Sequence, residues 1–216
     1  MSERRDRAPS VKYQTPLREA QRDLTRSRIV NAARNLFYDQ HFDTATMDEI
    51  AVAAGLRRST LYLHYKDKSE ILLEVITEYG AKAKNMLATM PGPDPTLAQM
   101  ESWVRKVARF IAKERVPLSI IVEVRRKHAH AATLDVLTNE LLDSMGANNA
   151  PFRDIGNAKA DAARRARALM LLQELTYACE IHLEDTSDAC GRELLLVAAK
   201  DLHTFLITSK RTAAAS

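Results

Sequence analysis

The side chains with the greatest capacity for hydrogen bonding lie close together, in the stretch between Thr46 and Lys68. They offer guanidinium, hydroxyl, phenol, imidazole and ammonium groups, which bind phosphates and the edges of bases. The donors are those of Arg57, Arg58, Thr60, Tyr62, His64, Lys66 and Lys68. This combination indicates a surface that binds nucleic acid.

Two short helices joined by a glycine turn are expected to position these donors. Thr46 and Glu49 have the spacing of a capping box, which begins a helix. Gly55 follows where a helix ends in the left-handed conformation, and a second helix is predicted over 57–65. This is the pattern of a helix-turn-helix, whose second helix lies in the major groove with its first turn at the base edges. The two arginines of that turn are therefore candidates for reading bases.

Three segments around the helix-turn-helix carry a wider signature. Residues 60–72 read T-L-Y-L-H-Y-K-D-K-S-E-I-L, residues 29–38 read I-V-N-A-A-R-N-L-F-Y, and residues 42–56 read F-D-T-A-T-M-D-E-I-A-V-A-A-G-L. The first segment resembles the T-L-Y-x-H-F-x-S-K-E-x-L signature of the tetracycline-repressor (TetR) family of bacterial transcription regulators. The other two are similar to the first two helices of that family. The resemblance covers roughly residues 25–80, and the rest of the chain agrees with the family in length and helical pattern.

Three positions depart from the family pattern. His41 stands where the family usually has the glycine that ends the first helix, so the turn there is expected to differ. Arg57 replaces the usual serine at the start of the second helix and lacks its capping oxygen. Ser59 replaces the usual glycine. None of the three changes the fold prediction.

The resemblance implies an all-α protein with two domains. It implies an N-terminal three-helix DNA-binding domain over 25–67, after a basic extension over 1–24, and a larger helical domain for ligand binding and dimerisation over 68–216. We interpret the protein as a homodimeric repressor that a small-molecule effector releases from a palindromic operator in double-stranded DNA. An activator, or a regulator that needs no ligand, is the alternative within DNA binding. A small-molecule-binding enzyme or carrier with a vestigial helix-turn-helix is the alternative outside it.

The candidate DNA contacts divide by role. Arg57 and Arg58 are expected to read bases. Phosphate contacts, which fix register, are expected from Thr46, Thr60, Tyr62, His64 and Lys68, and two of these, Thr60 and Tyr62, could also touch bases. The basic extension is either a solvated, partly disordered tail or an arm that reaches phosphates or the minor groove. The first helix is expected to begin at Thr25, with a possible extension from Leu17.

The larger domain is a series of helices with apolar stripes. Taken singly, its large apolar residues indicate core, but the resemblance implies that a set of them lines a ligand cavity. The candidates are Met100, Trp103, Val107, Phe110, Met170 and Tyr177. The last helix has an apolar pattern wider than one buried face needs, and the family packs its last two helices against a second copy. The candidate dimer residues are Leu195, Leu202, Phe205 and Leu206.

The chain contains none of the short motifs that carry catalysis. G-x-S-x-G, G-x-G-x-x-G, H-E-x-x-H and C-x-x-C are all absent. His128 and His130 would point about 200° apart on a helix, and Cys179 with His182 offers only two ligands. We therefore expect no enzyme, no metal and no cofactor. The basic cluster over 125–127 is interpreted as a solvated face or a local set of salt bridges.

Composition limits the cellular setting. There are 32 basic and 28 acidic residues, a net charge of +4, and the isoelectric point is about 9.1. This excess favours nucleic acid only weakly. No apolar run of about 18 residues and no apolar stretch near Met1 occurs, so we expect neither a membrane span nor a signal peptide. Two cysteines do not make a disulfide framework, and a cytoplasmic protein is expected.

Overall fold

The computed structural model describes residues 16–127, 130–153, 155 and 161–214, and this part of the chain is helical without any strand. The α-helices are α1 (Pro16–Gln40), α2 (Met47–Ala53), α3 (Arg58–Tyr62), α4 (Lys68–Leu87), α5 (Leu97–Lys113), α6 (Arg115–Arg126), α7 (Ala131–Met145), α8 (Ala162–Glu184) and α9 (Ala189–Ala214). A turn of 3-10 helix spans Ala150–Phe152. The expected all-α architecture is confirmed. None of the described helices is long and apolar enough to cross a lipid bilayer.

The first helix begins earlier than Thr25. α1 already includes Pro16, which suits the first turn of a helix because an N–H there has no partner within the helix. Thr25 lies inside the helix, where its hydroxyl donates to the carbonyl of Gln21 at 2.9 Å. The expectation that Thr25 starts the helix is therefore wrong, whereas the extension from Leu17 is confirmed. The rest of the basic extension, residues 1–15, lies outside the described residues.

α2 and α3 form the expected helix-turn-helix. The Thr46 hydroxyl accepts from the backbone N–H of Glu49 at 3.2 Å, and the Glu49 carboxylate accepts from the backbone N–H of Thr46 at 2.8 Å. Gly55 has a φ of 64°, a conformation that glycine adopts without a steric penalty. α3 is shorter than the predicted helix and ends at Tyr62, because the chain has to turn before α4 begins.

Two helices join the helix-turn-helix to the rest of the molecule. α4 packs on α1 and α7, and α6 packs on α1 as well as on α4, α5 and α7. Behind them, α8 and α9 form the most extensive helix pair, and α5 packs across both. A shift of α4 or α6 would therefore displace α1, with which both are in contact, and α2 packs against α1.

Candidate nucleic-acid interface and ligand cavity

The exposed side of α3 carries the arginines singled out in the sequence. Arg57 precedes the helix in an extended conformation (φ −73°, ψ 146°), and its side chain makes no capping hydrogen bond. Arg57, Arg58 and Ser59 are exposed, and Tyr62 at the end of the helix is 42% exposed. The structure therefore presents two guanidinium groups and a phenol on one surface of the helix-turn-helix.

Arg58 is held by its neighbours. Its Nη1 donates to Oδ2 of Asp48, on α2, at 2.8 Å. Its guanidinium carbon lies 5.5 Å from the centre of the Tyr62 ring, within the range of a cation–π contact. Asp48 is not recognisable as part of the site from the sequence, because its contact with Arg58 depends on how α2 and α3 pack.

The opposite side of α3 is anchored in the core. Leu61 is fully buried, and Tyr65 is buried with its hydroxyl donating to Glu74 of α4 at 2.6 Å. Arg26 of α1 forms an ion pair with the same carboxylate and lies 5.1 Å from the centre of the Tyr65 ring. Burial, followed by the hydrogen bond to Glu74, raises the pKa of the Tyr65 hydroxyl. Tyr65 therefore remains a neutral donor and fixes the segment after α3 against α1 and α4.

Lys68 has a different position from the one expected of a phosphate contact. Its ammonium group donates to the backbone carbonyls of Phe42, Asp43 and Ala45 at 2.8, 2.7 and 3.0 Å. It also lies 4.8 Å from the centre of the Phe42 ring. An ammonium group has three N–H donors, and all three are used here. The role proposed for Lys68 must therefore be corrected: it holds the loop between α1 and α2.

His64 is only partly exposed. Its Nδ1 is buried and has no hydrogen-bond partner among the described residues. Burial, with Arg22 and Arg26 nearby, lowers the pKa of the His64 ring, which leaves it uncharged near neutral pH. A neutral, half-buried imidazole is a poor phosphate ligand. Thr46 is exposed although its hydroxyl takes part in the capping box, and Thr60 is half-buried.

A cavity of about 430 Å³ lies inside the larger helical part of the molecule, bordered by α4, α5, α6, α7 and α8. Its walls are mostly apolar. They include Val107, Ile111, Leu118, Ile121, Leu137 and Leu175. Aromatic rings of Tyr79, Phe110 and Tyr177 also border it, and the first two lie 6.1 Å apart between ring centres.

Half of the predicted cavity residues are in place. Val107, Phe110 and Tyr177 line the cavity. Met100 and Trp103 are not among its lining residues: both are buried elsewhere in the core, and the Trp103 ring N–H donates to the Thr89 hydroxyl at 3.3 Å. Met170 does not line the cavity either, and it is 64% exposed on α8. The residues of α4, α6 and α7 that line the cavity were not predicted from the sequence. An apolar stripe on a helix looks the same whether it faces a packed core or a cavity.

Polar groups occupy the side of the cavity where α6 faces α7 and α8. Arg125 donates to the Thr138 hydroxyl at 2.8 Å and to the Leu134 carbonyl at 3.1 Å. Burial raises the pKa of the Glu180 carboxyl. The positive charge of Arg126 offsets part of this increase. The cavity therefore combines apolar walls with two groups of opposite charge, the Glu180 carboxyl and the Arg126 guanidinium.

The far side of α6 contacts the loop between α1 and α2. Glu123 accepts from His41 at 3.0 Å and from Lys127 at 2.8 Å, and Lys127 also pairs with Asp43 at 2.6 Å. His41 has a φ of 70°, so it adopts the left-handed conformation that a glycine would take. The expected difference in this turn is therefore not found. One helix thus borders both the cavity and the helix-turn-helix.

The candidate dimer residues are already buried within one chain. Leu195 and Phe205 are 7% exposed, Leu206 is 2% exposed and Leu202 is fully buried. Phe205 packs edge-on against Phe152, with ring centres 5.0 Å apart. These side chains leave almost no surface for a second copy, so their assignment to an interface must be corrected. They were misassigned because α9 is covered on both sides by α5 and α8 of its own chain.

The histidines and cysteines of the described residues form neither a metal site nor a disulfide. Within the described residues, no group of three or more His, Cys, Asp and Glu side chains is placed to hold a metal ion. His128 lies outside those residues. Burial raises the pKa of the Cys179 thiol to about 12, so this cysteine is an unreactive core residue at neutral pH.

The fold and site define a class of all-α proteins that carry a helix-turn-helix on a helical domain with an internal cavity. Residues 29–75 match the family described as bacterial regulatory proteins, tetR family. Over this segment, which includes α2 and α3, the chain is therefore similar to the TetR family.

Individual relatives over the same part of the chain are HTH-type transcriptional regulators. The chain is 32% identical over 95 residues to the HTH-type transcriptional regulator AcrR of Shigella flexneri, a match that covers 42% of this chain and 44% of that protein. It is 29% identical over 94 residues to the HTH-type transcriptional repressor BepR of Brucella suis, covering 42% of this chain and 45% of that protein. Both matches span less than half of the relative.

The fold extends further than the sequence similarity. The crystal structure of a tetR-family transcriptional regulator from Streptomyces coelicolor superposes with a TM-score of 0.64 at 15% identity. The superposition covers 88% of this chain and 83% of that one. The larger helical part thus shares its fold with that regulator at low sequence identity.

Proposed function

We propose that the protein is a transcriptional repressor that leaves DNA when a small molecule occupies the cavity. The observation that carries this proposal is the position of α6. It borders the cavity on one side and contacts the α1–α2 loop through Glu123 and Lys127 on the other. The names of AcrR, a transcriptional regulator, and BepR, a transcriptional repressor, support the same function.

DNA binding is assigned to α1–α3, and ligand binding and dimerisation to α4–α9. Arg57 and Arg58 stand at the first turn of α3, the part of a recognition helix that meets base edges. We assign base reading to these two arginines. Thr46, Thr60 and Tyr62 keep their proposed phosphate contacts, because their positions at the ends and along the side of the helix-turn-helix suit contacts that fix register.

A homodimer would bring two helix-turn-helices to one DNA duplex. The outer face of α8 and α9 offers Met170, Val197 and Ile207, which are 64%, 45% and 41% exposed. A two-fold axis through such a face repeats one patch on both copies. The two recognition helices then meet half-sites about one helical turn, or a multiple, apart, as in a palindromic operator.

α4 offers a second connection between cavity and DNA. It begins at Lys68, which holds the α1–α2 loop, and it carries Tyr79 and Met86 at the cavity wall. A ligand that fits the cavity better in an arrangement unsuited to DNA shifts the protein to that arrangement. Movement of α4 and α6 together would change the separation of the two recognition helices.

The effector is expected to be a mainly apolar small molecule with one polar end. The cavity volume of about 430 Å³ falls within the range of about 300–1,000 Å³ that is usual for ligand pockets. Its apolar walls suit the body of such a molecule, and Arg126 and Glu180 suit its polar end. We place the protein in the cytoplasm, where the DNA lies, and assign it binding rather than catalysis.

Selection from a random duplex library tests the DNA-binding part of this proposal. The purified full-length chain should enrich a palindromic sequence, and its affinity should fall with salt by a log–log slope of about −0.9 per phosphate contact. A reporter gene behind the selected sequence should be expressed less when the protein is present. Enrichment of no sequence would contradict DNA binding, and increased expression would indicate an activator.

A thermal-shift screen tests the ligand-binding part, because a compound that binds only the folded protein raises its melting temperature. Compounds found in this way should weaken binding to the selected duplex. Trp103 lies outside the cavity, so its fluorescence is not the readout. If compounds that bind the cavity leave DNA affinity unchanged, the release mechanism is wrong.

A further inference from the structure

An acidic side chain stands on the surface proposed to face DNA. Asp48 lies in the first turn of α2, its side chain is 57% exposed, and it accepts a hydrogen bond from Arg58 at 2.8 Å. A carboxylate at this position repels phosphates and lowers the affinity for any DNA. We therefore expect Asp48 to have a role that compensates for this loss of DNA affinity.

Folding stability gains only a little from this carboxylate: an acidic residue in the first turn of a helix interacts favourably but weakly with the helix dipole. The Arg58 side chain is 66% exposed, and ion pairs this exposed add little to stability because water and salt screen them. The cap of α2 is provided by Thr46 and Glu49, so Asp48 is not needed to begin the helix.

The geometry around Arg58 suggests a positioning role instead. Asp48 binds Nη1 of the guanidinium, and the Tyr62 ring lies against its face at 5.5 Å. A guanidinium group has five N–H donors, so donors remain for a second partner. A side chain that is already restrained loses less freedom when it binds.

We propose that Asp48 is a positioning residue that directs Arg58 to a base edge, and that the base is a guanine. The inference rests on the proposed DNA-binding function. Guanine presents O6 and N7 together in the major groove, and an arginine can bind both at once. Without Asp48, Arg58 pairs with the nearest phosphate, which carries no sequence information.

The test compares the base preferences of Asp48→Asn and wild-type protein, using the full-length chain and duplexes selected by the wild type. Discrimination at one G·C pair in each half-site should fall about 5–150-fold, the range of one bidentate base contact. Unrelated duplex should bind more tightly, and its salt slope should steepen by about 0.9 per protomer, or about 1.8 for the dimer, the value of one added phosphate contact in each copy. These two changes in opposite directions distinguish positioning from damage to the fold.

Two further variants examine the arginine itself. Arg58→Lys keeps the charge but lacks the planar fork, so it should lose the same preference at the same base pair. The double variant Asp48→Asn/Arg58→Lys should lose no more than either single variant, because both act on one contact. Asp48→Glu should retain the preference in part.

Glu49→Gln is the matched control. It removes a charge from the same turn of α2, and glutamine preserves the capping box. Base preference should remain that of the wild type. The inference is overturned if Asp48→Asn keeps the wild-type preferences, or if Glu49→Gln causes the same loss. A wild-type protein that enriches no sequence overturns both the inference and the proposed function.

Discussion

Replacing Lys68 with methionine removes three hydrogen bonds to the α1–α2 loop while keeping most of the apolar stem. Hydrogen bonds to charged groups contribute about 1.5–3 kcal/mol each when well protected from water. The carbonyls of Phe42 and Ala45 are partly buried, whereas that of Asp43 is exposed. The two partly buried bonds at full value would give about 3–6 kcal/mol. Because water reaches them in part and the third bond is exposed, we expect Lys68→Met to lower the free energy of unfolding by about 2–4 kcal/mol.

Urea unfolding followed by circular dichroism measures this loss, with Lys66→Met as the control. Lys66 is 88% exposed and lies 3.8 Å from Glu70, so its replacement should change stability by less than about 0.5 kcal/mol. A phosphate contact at Lys68 predicts the reverse pattern. Stability would then be unchanged, and the salt slope of DNA binding would fall by about 0.9 per protomer, or about 1.8 for the dimer. That result would refute the structural role of Lys68.

The remaining predictions concern the α6 contact and the dimer. Although burial alone would raise the pKa of Glu123, hydrogen bonds from Lys127 and His41 lower it below its usual value. The carboxylate therefore stabilises the fold above the unfolded-state pKa, and this contribution disappears as pH falls through the lowered pKa. Glu123→Gln should be less stable than wild type in urea at pH 7, and the two proteins should become equal in acid. Phe205→Ala should lose about 3–5 kcal/mol of stability as a core residue, whereas Ile207→Glu should give a folded monomer by light scattering. An Ile207→Glu dimer would place the interface elsewhere.

Local signals predicted the helix-turn-helix well. The Thr46–Glu49 capping box and the turn at Gly55 depend on residues close in sequence, and both are found as expected. Lys68 and His64 could not be placed in this way, because the groups around them belong to α1 and to the loop that follows it. A charged residue beside a recognition helix looks the same in sequence whether it faces DNA or a backbone carbonyl.

The larger helical part was predictable as helices but not as a site. The wide apolar pattern over residues 194–207 correctly indicated burial on more than one face of α9. It could not show that α5 and α8 of the same chain provide the cover. Val107 and Phe110 line the cavity whereas Trp103, on the same helix, does not, because the cavity follows from how α4, α6 and α7 are placed around α5.

The central claim is that cavity and DNA are coupled, and isothermal titration of one compound from the thermal-shift screen tests it directly. Its affinity is measured for the free protein and for the protein bound to the selected duplex. Coupling is reciprocal for binding free energies. The duplex should therefore lower the protein's affinity for the compound by the same factor by which the compound lowers its affinity for the duplex. We predict a factor of about 5–150 in both directions. Equal affinity of the compound for free and DNA-bound protein would contradict the account.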